Sequence, residues 1–297
     1  MDTFTSLTIA IPTYKRCETV VSLVNSLLPQ LHDGDELLVV DDASFDGTSE
    51  ALGSIDKVRL ITKTLNEGMV KNWNTCLTSA SNDWICVIHD DDTIKPNALQ
   101  SIRGACSIVG KPALIGHGTT DFDFDDSFCY RVLEAGTRAV LHSPPVPSGV
   151  TIHKDIIDSV GLFNERFCYS PDLEYFPRVC TRFPFLIIEN PRILLFNFHG
   201  QNYEYKTWCK EDFLDQLEEI ELLTIKYSNL PSGMVSDLFK YRMNRHINHM
   251  FRLAIRADNK ILLRQIGKSV KGRSYLSKKN HIKAQISSTL NWLPSRG

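Results

Sequence analysis

The chain has 297 residues, of which 42% are hydrophobic and 23% charged, an ordinary composition for a globular protein. This length allows one large α/β domain with an appendage, or two domains. Eight cysteines without a CxxC pair, and the lack of any run of about 18 apolar residues, argue against a disulfide scaffold and a spanning helix. The first six residues lack the features of a signal peptide, so we expect a reduced, cytoplasmic protein.

Charge is unevenly distributed along the chain. Residues 231–297 hold 14 Lys and Arg against only Asp237 and Asp258, whereas the preceding residues carry an excess of acid. The two parts are therefore expected to have different roles. We predict one domain over residues 1–207 and a basic helical region over residues 208–297.

Strand and helix patterns alternate in the first hundred residues. Apolar runs predict strands over Leu7–Ile11 (ended by Pro12), Glu36–Val40, Val58–Ile61 and Ile85–Ile88. Helical spacing or capping residues predict helices over Glu18–Leu31, from Asp46-Gly47-Thr48 onward, and over Val70–Ser79. Such alternation predicts a mostly parallel sheet flanked by helices, with polar residues at the strand C-termini.

The later elements are less regular. We predict a helix over Pro96–Val109, a strand running into a helix over Thr151–Val160, a helix over Asp172–Cys180 disturbed by Pro177, and strands over Phe185–Ile188 and Ile193–Phe198. Beyond Trp208 the apolar spacing predicts helices, one around Phe213–Leu223 and one around Val235–Ala254.

Three consecutive carboxylates, Asp90 to Asp92, directly follow the predicted strand Ile85–Ile88. Adjacent carboxylates repel one another, so a cation or several hydrogen-bond donors would favour this placement. Hard oxygen ligands at a strand end suit a magnesium or manganese ion that holds phosphates. The alternative is a solvated acidic turn.

Four segments together resemble an inverting family 2 glycosyltransferase with the Rossmann-like GT-A fold. They are Thr8-Ile9-Ala10-Ile11-Pro12-Thr13-Tyr14-Lys15-Arg16, Val39-Val40-Asp41-Asp42-Ala43-Ser44-Phe45-Asp46-Gly47-Thr48, Asn66-Glu67-Gly68, and His89-Asp90-Asp91-Asp92 with Pro96. The resemblance covers roughly residues 5 to 205, and the basic tail lies outside it. It implies an α/β fold with a mostly parallel sheet, here followed by a C-terminal helical extension.

The resemblance also implies a binding site for a uridine nucleotide. It assigns this contact to Pro12, Tyr14, Arg16, Asp41, Asp42, Asn66, Gly68, Lys71, Asp90 and Asp91. Tyr14 would stack on the base, and Asp42 would accept a hydrogen bond from the uracil ring N–H. The alternatives are an ordinary loop tyrosine for Tyr14 and a helix-capping carboxylate for Asp42. Gly68 would permit a positive φ or a close approach, and Lys71 would touch phosphate.

For the acidic segment the resemblance implies a DxD motif that holds Mn²⁺ or Mg²⁺. Asp90 and Asp92 satisfy the pattern, and counting back from Pro96 places Asp91 at the principal ligand. Asp91, Asp92 and a late histidine, His199, are the expected ligands, although which carboxylate binds directly stays open. His89 stands where many members have an acid, and it would either tune the site or merely pack.

The resemblance further implies a general base for the acceptor hydroxyl. The expected base is Asp172 in Ser170-Pro171-Asp172-Leu173-Glu174, with Glu174 in reserve and Pro171 in place of the first acid of the family's signature. The alternative for Asp172 is a helix N-cap. The diphosphate leaves as the metal neutralises its charge, so no protein acid is required.

We therefore expect transfer of a hexose from a UDP-sugar to a glycan acceptor, carried on a polyprenyl diphosphate in surface polysaccharide or O-antigen synthesis. Without a Gln-x-x-Arg-Trp segment, one sugar per encounter is expected. One alternative is a sugar-phosphate nucleotidylyltransferase, but the Pro12–Arg16 loop has no glycine. Another is a non-catalytic nucleotide-binding scaffold.

The basic tail suits an anionic membrane surface at the inner face of the membrane. Alternatively its cations face solvent and the tail packs as a lid or dimer arm, which leaves a homo-oligomer open. Nucleic acid is not an expected partner, because basic and aromatic residues are not interleaved. Neither the donor sugar nor the acceptor can be read from loops such as Phe122–Tyr130 and Ser143–Gly149.

Overall fold

The structure is a computed structural model, and it describes residues 5–118, 128–142, 147–191, 193–195, 208, 210, 212–256 and 258–289. The chain divides into two compact units, residues 1–197 and residues 198–297. The predicted domain boundary falls between residues 207 and 208, and residue 207 is not among the described residues. The exact position of that boundary stays a prediction. Each unit is taken by itself below.

The N-terminal unit is built on an eight-stranded sheet in the order β3-β2-β1-β4-β8-β6-β9-β7. Its strands are β1 (Leu7–Thr13), β2 (Glu36–Asp41), β3 (Val58–Thr62), β4 (Trp84–Val87), β6 (Leu114–His117), β7 (Cys129–Leu133), β8 (Val150–His153) and β9 (Phe185–Asn190). Strands β5 (Thr93–Ile94) and β10 (Leu194–Leu195) form a separate small antiparallel pair. Strands β3, β2, β1 and β4 run parallel to one another, and β6 runs parallel to β9. Strand β8 is antiparallel to its neighbours β4 and β6, and β7 is antiparallel to β9. The predicted mostly parallel α/β fold is confirmed.

Helices flank this sheet. They are α1 (Cys17–Leu27) with a 3₁₀ turn over Leu28–Gln30, α2 (Thr48–Gly53), α3 (Met69–Ser79), α4 (Ala98–Val109), α5 (Thr137–Leu141), α6 (Lys154–Val160) and α7 (Pro171–Cys180). Strands β1 and β2 lie in the middle of the parallel part, and nearly all of their residues are buried because helices cover both faces. The core includes the apolar side chains of β1, β2 and α1.

Pro12 does not end the first strand, contrary to the sequence-based expectation. Strand β4 pairs with β1 only from Leu7 to Ala10, so Pro12 lies beyond that ladder and its missing N–H leaves no bond unmade on that side. Pro177 likewise lies inside α7 without ending it. Both prolines are buried, which indicates that packing outweighs their local cost.

The C-terminal unit contains four helices within the described residues. They are α8 (Phe213–Ser228), α9 (Ser232–Arg256), α10 (Lys260–Val270) and α11 (Lys278–Thr289). The first two agree with the apolar spacing, and the last two are additional. None of the helices described in either unit is both long enough and apolar enough to cross a membrane.

A buried carboxylate joins α8 to α9. Glu221 is fully buried and accepts hydrogen bonds from Arg242 Nε and, at 2.7 Å, from His246 Nε2. Burial raises the pKa of this carboxyl, but the bonds from His246 and Arg242 outweigh it, and the net pKa of Glu221 lies below its ordinary value. The folded unit therefore holds Glu221 as an anion.

Glu221→Gln is expected to destabilise the C-terminal unit by about 2 kcal/mol at pH 7, because Arg242 loses its partner. Because the pKa of Glu221 is lower in the folded state, the ionised carboxylate stabilises that state at pH values above the pKa of the unfolded chain. This stabilisation is lost as the pH falls through the folded-state pKa. The difference between variant and parent should therefore shrink below about pH 4. Hydrogen exchange of the α8 and α9 amides measures it, and the exposed Asp237→Asn on α9 is the control. Equal protection in Glu221→Gln and the parent would contradict the assignment.

Candidate active site

The strand ends of the parallel sheet bring three of the recognised segments to one edge. Because β2, β1 and β4 are adjacent and parallel, the residues that follow them meet there. These are Tyr14 to Arg16 after β1, Asp42 after β2, and Ile88 to Asp92 after β4. This edge is where open α/β sheets place ligands.

The loops after β1 and β2 contain backbone in the left-handed region. Lys15, Ala43 and Phe45 have φ values of 54°, 62° and 52°, a conformation that is uncommon for residues other than glycine. The backbone N–H of Lys15 donates to Ser44 Oγ at 2.8 Å and so joins the two loops. Strain of this kind concentrates where a ligand site needs a fixed backbone shape.

Two aromatic side chains are exposed on these loops. Tyr14 is 40% exposed, with the Lys15 ammonium 5.1 Å from its ring centroid, and Phe45 is 85% exposed. The sequence analysis singled out Tyr14 and missed Phe45. A large apolar residue inside the polar loop Asp41–Thr48 was the signal that could have found it.

The carboxylates of Asp41 and Asp42 organise the loops that follow. Asp42 is 2% exposed and accepts hydrogen bonds from the backbone N–H groups of Glu67 at 3.1 Å and Gly68 at 2.9 Å. The Lys63 ammonium lies 3.2 Å from the same carboxylate. Asp41 accepts from the Ser44 hydroxyl and backbone N–H. The contacts of Asp42 are thus those of a loop-fixing carboxylate, and its contact with a nucleobase stays a prediction.

Gly68 and Lys71 lie at the start of α3. Gly68 precedes the helix with a φ of 93°, and a side chain there would meet no atom within 4 Å. The positive φ therefore favours glycine at this position, and a lack of space does not. Lys71 is half exposed, with its ammonium 3.8 Å from the Glu67 carboxylate, whereas Asn66 is an exposed loop residue. A phosphate contact for Lys71 stays a prediction.

Arg16 ties the first loop to the acidic segment. Its Nη1 donates to Asp90 Oδ1 and to Asp91 Oδ2, both at 2.7 Å. Thr13 Oγ1 donates to the other oxygen of Asp90 at 2.7 Å. Burial raises the pKa of the Asp90 carboxyl and outweighs the opposing effect of Arg16 and Thr13. Asp90 is therefore a buried structural member of the site, and Asp91 is the more accessible carboxylate of the two.

His89 is held in place from both its backbone and its ring. Its backbone N–H donates to Ser148 Oγ at 2.9 Å, and its ring stacks on Trp73 with centroids 5.1 Å apart. Burial lowers the pKa of the imidazole to about 4, with Asp91 and Arg16 acting in opposite directions. The buried Nε2 atom has no hydrogen-bond partner among the residues that the structure describes, although buried polar atoms usually have one.

His89, Asp91 and Asp92 could hold a cation. One ligand atom from each lies within 4.8 Å of the others, and an imidazole nitrogen with two carboxylates is a donor set that divalent metals accept. The residues present therefore fit a divalent ion. Of the expected ligands, Asp91 and Asp92 belong to this group, and His199 lies outside the described residues. His89 is the ligand candidate that the sequence analysis left without a role.

The predicted base lies in the first turn of α7. Asp172 is 9% exposed, and Pro171 is the first residue of the helix. Glu174 forms a two-point ion pair with Arg178, from Nε at 2.7 Å and from Nη2 at 3.0 Å. Arg178 also donates to the carbonyl oxygen of Val160 at 2.6 Å. Proton transfer by Glu174 would have to break this pair, so Asp172 remains the better candidate.

A line of aromatic rings connects α7 to the acidic segment. Trp73, which stacks on His89, meets Phe163 edge to face at 5.3 Å, and Phe163 packs on Tyr175 at 4.2 Å. Asn74 fixes Phe163 through two backbone hydrogen bonds of 3.0 Å, one donated and one accepted. Helix α7 and the residue before the carboxylates are thus positioned by one packed cluster.

Comparison with known proteins agrees with the motifs. Residues 8–106 match glycosyl transferase family 2. The succinoglycan biosynthesis protein ExoO of Rhizobium meliloti is 32% identical over 112 residues, which is 37% of this chain and 32% of that protein. The chain thus spans about a third of the length of this relative.

Solved structures share the fold across nearly the whole chain. S. aureus TarS 1–349 in complex with UDP-GlcNAc has a TM-score of 0.61 at 14% identity, covering 97% of this chain and 89% of that one. The mannosyltransferase PcManGT from Pyrobaculum calidifontis, in complex with GDP-Man and Mn²⁺, has a TM-score of 0.51 at 13% identity, covering 97% and 80%. The resemblance to family 2 is thus confirmed over residues 8–106, and the solved structures confirm the expected fold.

Proposed function

We propose that this chain, whose residues 8–106 match glycosyl transferase family 2, transfers a hexose from a UDP-sugar to a glycan acceptor with inversion of configuration. The observation that carries the proposal is the group His89, Asp91 and Asp92. It lies at the strand edge that also presents Tyr14 and the Asp42 loop. A nucleotide-sugar needs a surface for its base and a cation site for its diphosphate, and this edge offers both.

The assignment of a uridine nucleotide rests on two kinds of support. TarS, which shares the fold, has been solved with UDP-GlcNAc, and Tyr14 presents an exposed ring to a base. The carboxylate of Asp42 can accept an N–H in addition to its two backbone bonds and its contact with Lys63, because a carboxylate has about four acceptor sites. Uracil carries such an N–H, so it fits this acceptor.

His89, Asp91 and Asp92 would hold a divalent cation, Mn²⁺ or Mg²⁺. When bound, that ion supplies positive charge to the leaving diphosphate. Arg16, which now contacts Asp90 and Asp91 at 2.7 Å, keeps the acidic segment partly neutralised and in place. Tyr14 would orient the base.

Asp172 would accept the proton of the acceptor hydroxyl as that oxygen attacks the sugar. Its position at the start of α7 is fixed by the Tyr175 and Phe163 rings and by the Glu174–Arg178 pair one turn further on. We assign Glu174 a positioning role rather than that of the base. A positioned carboxylate base of this kind contributes about 10²- to 10⁴-fold in rate.

For the acceptor we propose a growing surface polysaccharide linked to a polyprenyl diphosphate. The support is the similarity to a protein of succinoglycan biosynthesis and the excess of positive charge in the C-terminal residues. A screen of UDP-sugars against short lipid-linked acceptors tests the function. UDP release and the anomeric configuration of the product are measured for each pair. Absence of turnover with every donor, or retention of configuration, would contradict it.

His89→Asn is expected to lower Mn²⁺ affinity about tenfold or more, because it removes the imidazole from the three-residue donor set. Electron paramagnetic resonance of bound Mn²⁺ measures this without any turnover. His142→Asn, at an exposed residue after α5, is the matched control. Unchanged Mn²⁺ binding in His89→Asn would show that the imidazole only packs on Trp73.

A further inference from the structure

A basic cavity of about 420 Å³ opens to solvent in the C-terminal unit, between α9 and α11. Arg245, Arg252, Lys279 and Lys283 supply four cationic side chains, and Tyr241 and Asn248 add a hydroxyl and an amide. No carboxylate is among the described residues that line it. Arg245, Arg252 and Lys279 are exposed, so α9 and α11 present a shared basic face to solvent.

Three exposed cations of this cavity, Arg245, Arg252 and Lys279, differ from the half-buried Arg242 and Arg273 of the same unit. Arg242 pairs with Glu221, and Arg273 pairs with Asp215 and Glu218. In contrast, Arg245, Arg252 and Lys279 have no ion-pair partner among the residues that the structure describes. Among the described residues, no carboxylate forms an ion pair with these three cations, so the cavity keeps their positive charge.

Part of the cavity is held in a fixed geometry. Lys283 Nζ donates to Asn248 Oδ1 at 2.7 Å, and Asn248 Nδ2 donates to the carbonyl oxygen of Asn244 at 2.8 Å. The start of α11 is fixed as well, since Asn244 Oδ1 accepts from the backbone N–H of Ser277 at 2.8 Å. Burial lowers the pKa of Lys283, and the neighbouring Lys279 and Arg252 lower it further. Like charges held this close favour an anion between them.

We propose that this cavity binds the diphosphate group of a ligand. Arginine forks match phosphate oxygens in pairs and lysines add point charges, so four cations suit two phosphates better than one carboxylate. A volume of 420 Å³ exceeds that of a single phosphate and falls within the range of ligand sites. The proposal does not depend on sugar transfer in the N-terminal unit.

Titration calorimetry of the full chain with inorganic pyrophosphate tests this proposal. It is done in chelator, so that metal-dependent diphosphate binding at the acidic segment does not contribute. Arg252→Gln combined with Lys279→Gln is expected to weaken binding at least tenfold. Lys260→Gln combined with Lys268→Gln removes the same charge from exposed positions of α10 and should change affinity less than twofold.

The diphosphate group could belong to a lipid headgroup or to a soluble ligand, and vesicles containing an anionic phospholipid distinguish the two. If the vesicles displace pyrophosphate from the parent chain, the ligand is a lipid headgroup, and if they do not, it is a soluble diphosphate. Circular dichroism confirms that each variant is folded. The proposal is overturned if the parent does not bind pyrophosphate, or if the control pair weakens binding as much as the cavity pair.

Discussion

Asp172→Asn is expected to lower kcat by about 10²- to 10⁴-fold while leaving the affinity for the nucleotide-sugar unchanged. The asparagine amide keeps the size of the side chain but cannot accept a proton. Asp172 lies at the start of α7, which Tyr175 anchors against Phe163, so the substitution should not move the helix. UDP release under single-turnover conditions, with donor binding followed separately, measures the two quantities.

The control for this substitution separates the base from the scaffold of α7. Glu174→Gln breaks the ion pair with Arg178 and is expected to lower the stability of the unit as well as kcat. Asp172→Asn should instead change the pH dependence of kcat and leave the melting temperature nearly unchanged. If Asp172→Asn keeps the parent rate, Asp172 is not the base and the role must be reassigned.

Asp91→Asn is expected to lower kcat/KM by about 10²- to 10³-fold and to weaken Mn²⁺ binding, because it removes a carboxylate that would hold the charge-stabilising ion. Asp91 is chosen since its ligand oxygen lies within 4.8 Å of those of His89 and Asp92. Activity and bound Mn²⁺ are both measured as functions of metal concentration.

Asp90→Asn is the informative comparison for Asp91. Asp90 is buried and accepts from Thr13 and Arg16, so its loss should reduce stability more than it changes metal affinity. Asp91→Asn should show the opposite pattern. Full activity of Asp91→Asn in the presence of chelator would contradict a metal role for the segment.

The sequence predicts the parallel half of the sheet well because its strands are continuous apolar runs. Strands β1, β2, β3 and β4 begin within a residue of their predicted starts. Strands β6 and β7 were not predicted, since they are short and their pairing with β9 depends on contacts far apart in sequence. Helix α10 buries Leu262, Ile266 and Val270 at helical spacing, so its pattern was present and overlooked.

The residue types of the candidate site follow from the sequence, but their partners do not. The Glu174–Arg178 pair has the i,i+4 spacing of a helical ion pair and could have been predicted. The stacking of Trp73 on His89 could not, because it depends on how α3 packs beside β4. The same holds for Asp42, whose bonds to Glu67 and Gly68 bring together loops from different strands.

Calorimetric titration of UDP into the full chain, with Mn²⁺ and with chelator, tests whether the acidic segment binds a nucleotide through a metal ion. We expect one UDP to bind per chain in the presence of Mn²⁺, and binding to be much weaker in chelator and in Asp91→Asn. This expectation would be contradicted by no UDP binding in the presence of Mn²⁺, or by an affinity that neither chelator nor Asp91→Asn changes.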